Sequence, residues 1–255
     1  MKRIGIDVGG TNTDAVLVDG NDILGAVKTV TTPDVTGGIR AALKDLVAAV
    51  GAAADEVDAV MIGTTHFVNA VVQRRGLNRA AALRVCLPSS ASLTPFIDWP
   101  DDLAGLVDGG RYLIAGGHEY DGRPLVPLDE CAVADAARDM RANHISALGI
   151  SAVFSPLTAE CEERAAEIVR NEHPNIHITL SSRLGRIGLL ERENAALLNA
   201  CLIELAGHTA EAFAKAIADS GISAPLYITQ NDGTVTSAEV ARNEPVHSFA
   251  SGPTN

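Results

Sequence analysis

An acidic residue, two glycines and a run of polar side chains follow one another near the start of the sequence, in IGIDVGGTNTD at residues 4–14. Glycines let the backbone of a turn approach a phosphate closely, and the amides of such a turn can point inward as anion donors. Hydroxyl and carboxamide side chains supply further donors. The residues available for this chemistry are Asp7, Gly9, Gly10, Thr11, Asn12, Thr13 and Asp14.

Asp7 needs a cation if it is to work beside a phosphate, because two like charges repel. Its carboxylate can hold Mg²⁺ through water, and Mg²⁺ bridges phosphates. Asp14 can instead simply cap the turn. A second interpretation is a plain Gly-Gly β-turn with a surface aspartate, and the residue types alone leave both interpretations open.

The elements around this segment are predicted from hydrophobic periodicity. Alternating patterns indicate an antiparallel β-meander with strands at 3–8, 14–19 and 23–30. From Thr36 onward, apolar residues spaced by three or four predict a helix with one apolar stripe. An apolar strand at 58–63 and a short helix through Phe67 and Ala70 follow, which makes the order βββαβα.

The remainder of the sequence predicts alternating strands and helices, an order that favours parallel pairing of the strands. Numerous prolines and glycines predict an irregular insertion at about 88–128. Asp129 is the expected N-cap of a helix at 129–142, and Thr158 that of a later helix. A long helix is predicted from about Glu191 to Asp219. The predicted strands are 80–87, 151–155, 177–181, 225–230 and 246–251.

Composition excludes several classes of partner. Lys and Arg number 20 against 32 Asp and Glu, a formal net charge of −12, and an acidic surface repels a nucleic-acid backbone. No apolar run has the length of a membrane span, and Asp7 interrupts any signal-peptide core. The four cysteines lack zinc-site spacing, so we expect reduced, mostly buried thiols in a cytoplasmic protein: Cys86, Cys131, Cys161 and Cys201.

Several other catalytic motifs do not occur in the sequence. Neither the P-loop pattern GxxxxGK[ST] nor the nucleophile elbow GxSxG occurs, and the histidines form no HExxH pattern. His118, Glu119 and Asp121 cluster in a glycine-rich stretch, which we interpret as a solvated turn rather than a metal site.

The segment IGIDVGGTNTD, which would form a hairpin between the first two predicted strands, resembles the first phosphate loop of actin-like ATPases, sugar kinases and heat-shock chaperone ATPases. That loop begins with DxGGT or DxGT. Four segments that occur in the same order as in the hydantoinase A / 5-oxoprolinase family make the resemblance to that family more specific. They are IGIDVGGTNTDAVLVDG, GTTHFVNAVVQRRG, RENAALLNACL and QNDGTVTSAEVARNEPVHSFASGPTN. This resemblance implies an α/β actin-like (ribonuclease H-like) ATPase fold. Residues 1–190 would form the N-terminal lobe with the insertion, and residues 191–255 the start of a second, truncated lobe.

The same resemblance implies an activity and a set of residues. The family couples ATP hydrolysis to opening a cyclic amide or, in some members, to carboxylating a ketone, and often works with a hydantoinase B-type subunit. The matched hairpin residues inherit a role with ATP phosphates and Mg²⁺, with Asp7 and Thr11 in the reacting region. Thr64, Thr65 and Asn69 match a strand-to-helix corner that could bind substrate or phosphate, although Thr65 could simply cap the helix.

Two further segments match family turns. Asp232 and Gly233 match a DGG-like turn, in which Thr234 here replaces the second glycine, and a tight turn without function is the alternative. Ser251 and Gly252 match the family's SGP, where a glycine after a strand suits close approach to a nucleotide.

Family members carry a second DxGGTxxD hairpin beyond SGP, whereas the sequence ends at Asn255. We therefore expect a truncated chain or a natural half-protein that by itself binds nucleotide weakly and turns over little.

Three hypotheses follow for function. The first is an ATP-dependent hydrolase that phosphorylates the amide oxygen of a hydantoin- or 5-oxoproline-like ring, so that water opens the resulting imidate phosphate. The second is a small-molecule kinase, which needs a positioned carboxylate base that the sequence does not reveal. The third is a nucleotide-gated interaction module, because actin-like folds also serve as switches.

Overall fold

The structure, a computed structural model, describes residues 1–31, 35–51 and 56–251. The strands are Lys2–Val8 (β1), Asn12–Asp19 (β2), Asp22–Val30 (β3), Ala59–Thr64 (β4), Ala80–Leu87 (β5), Asp108–Ala115 (β6), Ala147–Ala152 (β7), His177–Leu180 (β8), Leu226–Thr229 (β9) and Val235–Ser237 (β10). The helices are Val35–Val50 (α1), His66–Gln73 (α2), Asp101–Val107 (α3), Glu130–Ala142 (α4), Glu160–Glu172 (α5), Ser181–Leu184 (α6), Leu189–Asp219 (α7) and Ala238–Asn243 (α8), with a 3₁₀ helix at Pro245–Ser248.

The chain divides into two units. Unit 1 comprises Met1–Arg75 and Glu204–Asn255, and unit 2 comprises Gly76–Ile203. The long helix α7 contributes residues to both. The family boundary expected near residue 190 stays a prediction. Within the described ranges, no helix is both long enough and apolar enough to cross a bilayer.

Unit 1 contains a six-stranded sheet in the order β10-β9-β4-β1-β2-β3. Strands β1, β2 and β3 form an antiparallel meander, and β4 pairs in parallel with both β1 and β9. Alternation along β1 turns Ile4, Ile6 and Val8 into the core and leaves Gly5 and Asp7 on the opposite face. Helix α1 and the end of α7 cover the core face with Ile39, Leu43, Leu46, Phe213 and Ile217.

Unit 2 contains a four-stranded parallel sheet in the order β6-β5-β7-β8. Helices α4 and α5 pack on one face over a core that includes Met140, Leu148 and Val169. On the other face α7 approaches β7 closely. A Cβ on Gly149 would lie only 3.1 Å from a side-chain carbon of Leu197, so a larger residue there would push the helix away.

A buried ion pair joins this sheet to α7 within unit 2. Arg84 of β5 and Glu193 of α7 are almost fully buried, and the Arg84 Nε atom donates to Glu193 at 2.7 Å. The Ser151 hydroxyl donates to the same carboxylate at 2.8 Å. Because a buried charge is costly unless it is paired and hydrogen-bonded, these three residues depend on one another.

Most of the predicted elements are confirmed, with four corrections. The segment predicted as an irregular insertion at 88–128 contains α3 and the sheet strand β6. The strand expected at 151–155 lies earlier, at β7. Thr158 is not the N-cap of α5, since Ala159 occupies that position. The strand expected at 246–251 is a 3₁₀ helix at Pro245–Ser248, which begins at a proline that a central strand would not tolerate.

Candidate functional site

The glycine pair forms a tight hairpin between β1 and β2. The Gly9 amide donates to the Asn12 carbonyl at 3.0 Å, and a Cβ on Gly9 would lie only 3.1 Å from that carbonyl oxygen. Gly10 and Thr11 form the exposed tip of the hairpin. Neither the Gly10 amide nor the Thr11 amide donates to another described residue. The tip therefore has the exposed backbone donors that an anion site requires.

The back of the hairpin is held by Thr31, which follows β3. Its hydroxyl donates to the Gly9 carbonyl at 3.0 Å, and its amide donates to the Thr11 carbonyl at 2.9 Å. Thr13 is fully buried, and its hydroxyl lies 3.1 Å from the Thr31 hydroxyl. Thr13 therefore supports the hairpin from the core side and does not present its hydroxyl at the exposed tip.

Two carboxylates lie beside the hairpin on the face opposite the core. Asp7 and Asp14 are directly paired in the register of β1 and β2, and Lys28 of β3 approaches Asp14 with 3.2 Å between Nζ and Oδ1. Asp7 and Asp14 line a shallow concavity of about 320 Å³ together with Gly63 and Thr229. Asp7 is exposed there and can reach a hydrated cation.

The corner between β4 and α2 reaches the hairpin from the adjacent strand. The Thr65 amide donates to the Val8 carbonyl at 3.4 Å, and the Asn69 carboxamide donates to the Thr65 hydroxyl at 3.1 Å. Asn69 Nδ2 lies 3.9 Å from the position that a Cβ on Gly10 would take. The structure thus brings Thr65 and Asn69 to the hairpin tip.

The Thr65 side chain does not cap helix α2. Thr65 occupies the N-cap position of α2, but its side chain makes no capping hydrogen bond. Thr64 is buried, and its hydroxyl instead accepts from the His66 amide at 3.1 Å. The Thr65 hydroxyl is therefore directed to Asn69 rather than to the helix terminus.

Asp232 and Gly233 form a turn of their own between β9 and β10. Gly233 has a φ of 84°, in the left-handed region that favours glycine. The Asp232 carboxylate accepts from the Thr234 amide at 2.9 Å and the Thr234 hydroxyl at 2.7 Å, and these hydrogen bonds lower the pKa of Asp232. These contacts stay within the turn, and none of the described contacts of Asp232 reaches the hairpin.

The neighbouring Asn231 ties this turn to the segment that precedes Ser251. Its carboxamide donates to the Val246 carbonyl at 2.9 Å and accepts from the Ala250 amide at 2.8 Å. Ser251 is buried, and its hydroxyl donates to the Thr64 carbonyl at 3.4 Å. Ser251 is thereby placed next to the β4 corner, whereas Gly252 lies outside the described residues.

Asn231 and Thr31 are the two positions that the sequence analysis missed. A signal existed for Thr31, because a hydroxyl residue at the end of the third meander strand must lie beside the turn that joins the first two. Asn231 offers only its place before a predicted Asp-Gly turn. Its role depends on residues 15 to 19 positions away, which local patterns do not reveal.

Among the described residues, neither a cluster of metal-binding side chains nor a pair of cysteines adds to this site. Within the described ranges, no group of three or more His, Cys, Asp or Glu side chains could hold a metal ion. The four cysteines are free thiols, and Cys131 is exposed. Burial raises the pKa of Cys86 to about 11 and that of Cys201 to about 12, so both stay protonated at neutral pH.

The meander, the glycine hairpin at its first turn and the parallel strand β4 beside it define an actin-like ATPase-type α/β fold. A solved structure of the ATP-dependent caprolactamase from Pseudomonas jessenii superposes with a TM-score of 0.83 and 27% identity, over 99% of this chain and 39% of that one. Nucleotide-free acetone carboxylase superposes with a TM-score of 0.78 and 23% identity, over 100% of this chain and 39% of that one.

Sequence comparison identifies the family. Residues 3–173 match the hydantoinase/oxoprolinase N-terminal region, and residues 192–255 match hydantoinase/oxoprolinase. The chain belongs to the hydantoinase/oxoprolinase family. It is 27% identical to the caprolactamase subunit alpha of Pseudomonas jessenii over 98% of its own length, which is 38% of that protein. The chain thus spans well under half the length of its curated relative.

Proposed function

We propose that this chain carries the first phosphate-binding hairpin of an ATP-dependent enzyme that opens a cyclic amide. The observation that carries the proposal is the exposed Gly10 amide at the hairpin tip, with the Asp7 carboxylate of β1 exposed nearby. Membership of the hydantoinase/oxoprolinase family and similarity to a protein named as a caprolactamase support the reaction class.

The residues present fit a magnesium-bound nucleotide. Gly10 offers an amide without a partner among the described residues, and the absence of a side chain there leaves room for a phosphate to approach. Thr11 adds an exposed hydroxyl. Asp7 would hold Mg²⁺ through water, and Mg²⁺ is typically bound in proteins by one or two carboxylates plus phosphate oxygens.

Each surrounding group has a part in orienting the hairpin and substrate. Asn69, held by Thr65, presents a carboxamide beside Gly10 that can donate to a phosphate or a ring oxygen. Ser251 lies at the β4 corner, and Gly252 and the Asp232–Gly233 turn would complete the nucleotide contacts.

Transfer of the terminal phosphoryl group of ATP to the amide oxygen, with ADP as the leaving group, would remove the amide resonance and make the ring carbon electrophilic. Water would then add to that carbon, the ring C–N bond would break as the nitrogen takes up a proton, and a second water would hydrolyse the resulting acyl phosphate to the ring-opened acid and phosphate. The hairpin amides and the cation held at Asp7 would stabilise the charge on that phosphoryl group. A small cyclic amide is the proposed substrate, and a hydantoinase B-type subunit the proposed partner.

The test is ATP hydrolysis by the protein at its natural length, together with any subunit that co-purifies. We expect hydantoin, 5-oxoproline or ε-caprolactam to stimulate phosphate release, with the ring-opened product detected by mass spectrometry in equal amount. Stimulation by a ketone with bicarbonate would instead indicate carboxylation, and a phosphorylated stable product would indicate a kinase. Nucleotide binding without stimulation by any of these compounds would support an interaction module and contradict the proposal.

A further inference from the structure

We infer that Thr31 is a positioning residue whose hydroxyl holds the Gly9–Asn12 hairpin so that the Gly10 amide faces the nucleotide phosphates. The inference rests on the proposed function, because it concerns the same hairpin. Thr31 lies outside the DxGGTxTD segment, and it contacts the hairpin from the position directly after strand β3.

Three contacts from this one residue meet the hairpin. Its hydroxyl donates to the Gly9 carbonyl at 3.0 Å, and its amide donates to the Thr11 carbonyl at 2.9 Å. The Thr31 oxygen also lies 3.1 Å from the Thr13 hydroxyl. A hydroxyl has a single proton, so Thr31 accepts from Thr13 while it donates to Gly9. Thr13 is fully buried, which anchors this chain of hydrogen bonds in the core.

The geometry of the peptide bond links the Gly9 carbonyl to the phosphate side of the hairpin. In a planar trans peptide the C=O and N–H groups point in opposite directions. The carbonyl of Gly9 and the amide of Gly10 belong to the same peptide unit. Because Thr31 binds the carbonyl, the Gly10 N–H must point away from Thr31, and it donates to no other described residue.

Without the Thr31 hydroxyl this peptide unit would lose its side-chain restraint. The unit lies between two glycines, whose backbone adopts more conformations than that of any other residue. A freely rotating peptide unit could turn a carbonyl, rather than an amide, toward an anion. The hydroxyl therefore acts on nucleotide affinity through the orientation of a donor, without touching the nucleotide.

The experiment compares three variants in the protein at its natural length, with any co-purifying subunit. Thr31→Ser keeps the hydroxyl, and Thr31→Val keeps the shape but removes it. Thr236→Val removes a threonine hydroxyl from β10 of the same unit and serves as the control. Magnesium-ATP affinity is measured by calorimetric titration, KM for ATP and kcat by phosphate release, and folding by thermal unfolding.

We expect Thr31→Val to weaken ATP binding by about tenfold, the scale of one lost hydrogen bond. The KM for ATP should rise by a similar factor, while kcat at saturating ATP changes less than twofold. Thr31→Ser and Thr236→Val should bind ATP as the unaltered protein does.

Two results would overturn the inference and leave the proposed function intact. The first is unchanged ATP affinity in Thr31→Val, and the second is an equal loss in Thr31→Ser and Thr31→Val, which would assign the effect to shape. If the unaltered protein fails to bind magnesium-ATP, the proposed function fails and the phosphate role of Thr31 fails with it.

Discussion

Asp7 and Asp14 lie directly opposite each other in the antiparallel register of β1 and β2. Residues paired in this way have Cβ atoms about 4.5–5.5 Å apart, so their carboxylates share one face of the sheet. Lys28 approaches Asp14 from β3, at 3.2 Å, whereas Asp7 has Gly63 of β4 on its other side. Lys28 therefore pairs with Asp14, and the proposed magnesium ion is assigned to Asp7.

This assignment predicts unequal effects of neutralising the two residues. Asp7→Asn should lower ATP hydrolysis by at least about a hundredfold, because a cation contributes several kcal/mol of charge stabilisation. Asp14→Asn should cost less than about tenfold, because Lys28 already offsets that charge. The measurement is phosphate release over a range of Mg²⁺ concentrations. Equal losses in the two variants would contradict the assignment of the cation to Asp7.

The two glycines of the hairpin should respond differently to substitution by alanine. A Cβ on Gly10 meets nothing closer than Asn69 Nδ2 at 3.9 Å, so Gly10→Ala should fold with stability within about 0.5 kcal/mol of the unaltered protein. Its ATP affinity should nevertheless fall about tenfold, since the methyl group occupies the approach of the phosphate.

Gly9→Ala is the matched comparison, because its Cβ would lie 3.1 Å from the Asn12 carbonyl oxygen. This variant should lose stability, by about 1 kcal/mol, as well as affinity. Thermal unfolding and ATP titration separate the two effects. Normal ATP binding by Gly10→Ala would argue against phosphate at the hairpin tip.

The buried pair in unit 2 predicts a stability effect that is independent of nucleotide. Glu193→Ala should destabilise unit 2 by about 3–5 kcal/mol, because it leaves the Arg84 guanidinium buried without its counter-charge. Replacing both residues, with Arg84→Met and Glu193→Leu, should recover most of this loss. The measurement is the urea midpoint of unfolding.

Glu130→Ala is the control for that experiment. It breaks the exposed ion pair with Arg164, in which both side chains are roughly half exposed, and it should change the unfolding free energy by less than about 1 kcal/mol. A loss in the Arg84→Met, Glu193→Leu protein as large as that in Glu193→Ala would show that charge burial is not the cause.

His66 predicts a dependence of stability on pH. Burial lowers the pKa of His66 from its ordinary value of 6.5. Below about pH 6.5 the unfolded chain therefore binds a proton that the folded chain does not, and the unfolding free energy falls as the pH drops. In His66→Gln, the unfolding free energy from denaturation curves should therefore fall less between about pH 7 and pH 5. Unchanged denaturation curves in His66→Gln would contradict this assignment.

Local periodicity accounts for most of the elements of this fold. The alternation in β1 and β2 and the apolar spacing of α1 arise within each element, because a strand repeats every two residues and a helix every 3.6. The predictions failed where a partner decides the structure. Strand β6 lies among glycines and completes its hydrogen bonds with β5, and Pro245 begins a 3₁₀ helix where apolar residues had indicated a strand.

The sequence by itself determined that a glycine hairpin flanked by Asp7 and Asp14 follows a buried strand, because these residues are adjacent in the chain. Only the tertiary structure decided which polar groups face that hairpin. Parallel pairing of β1 with β4 brings Thr65 and Asn69 to Gly10, and pairing of β2 with β3 brings Thr31 behind Gly9. Strand β2 begins at Asn12, before the predicted residue 14, and this extension places Thr13 on the buried face with Ala15 and Leu17. Which residues meet at the hairpin depends on sheet register and on contacts across 18 to 22 residues of chain, and neither is encoded in a local pattern.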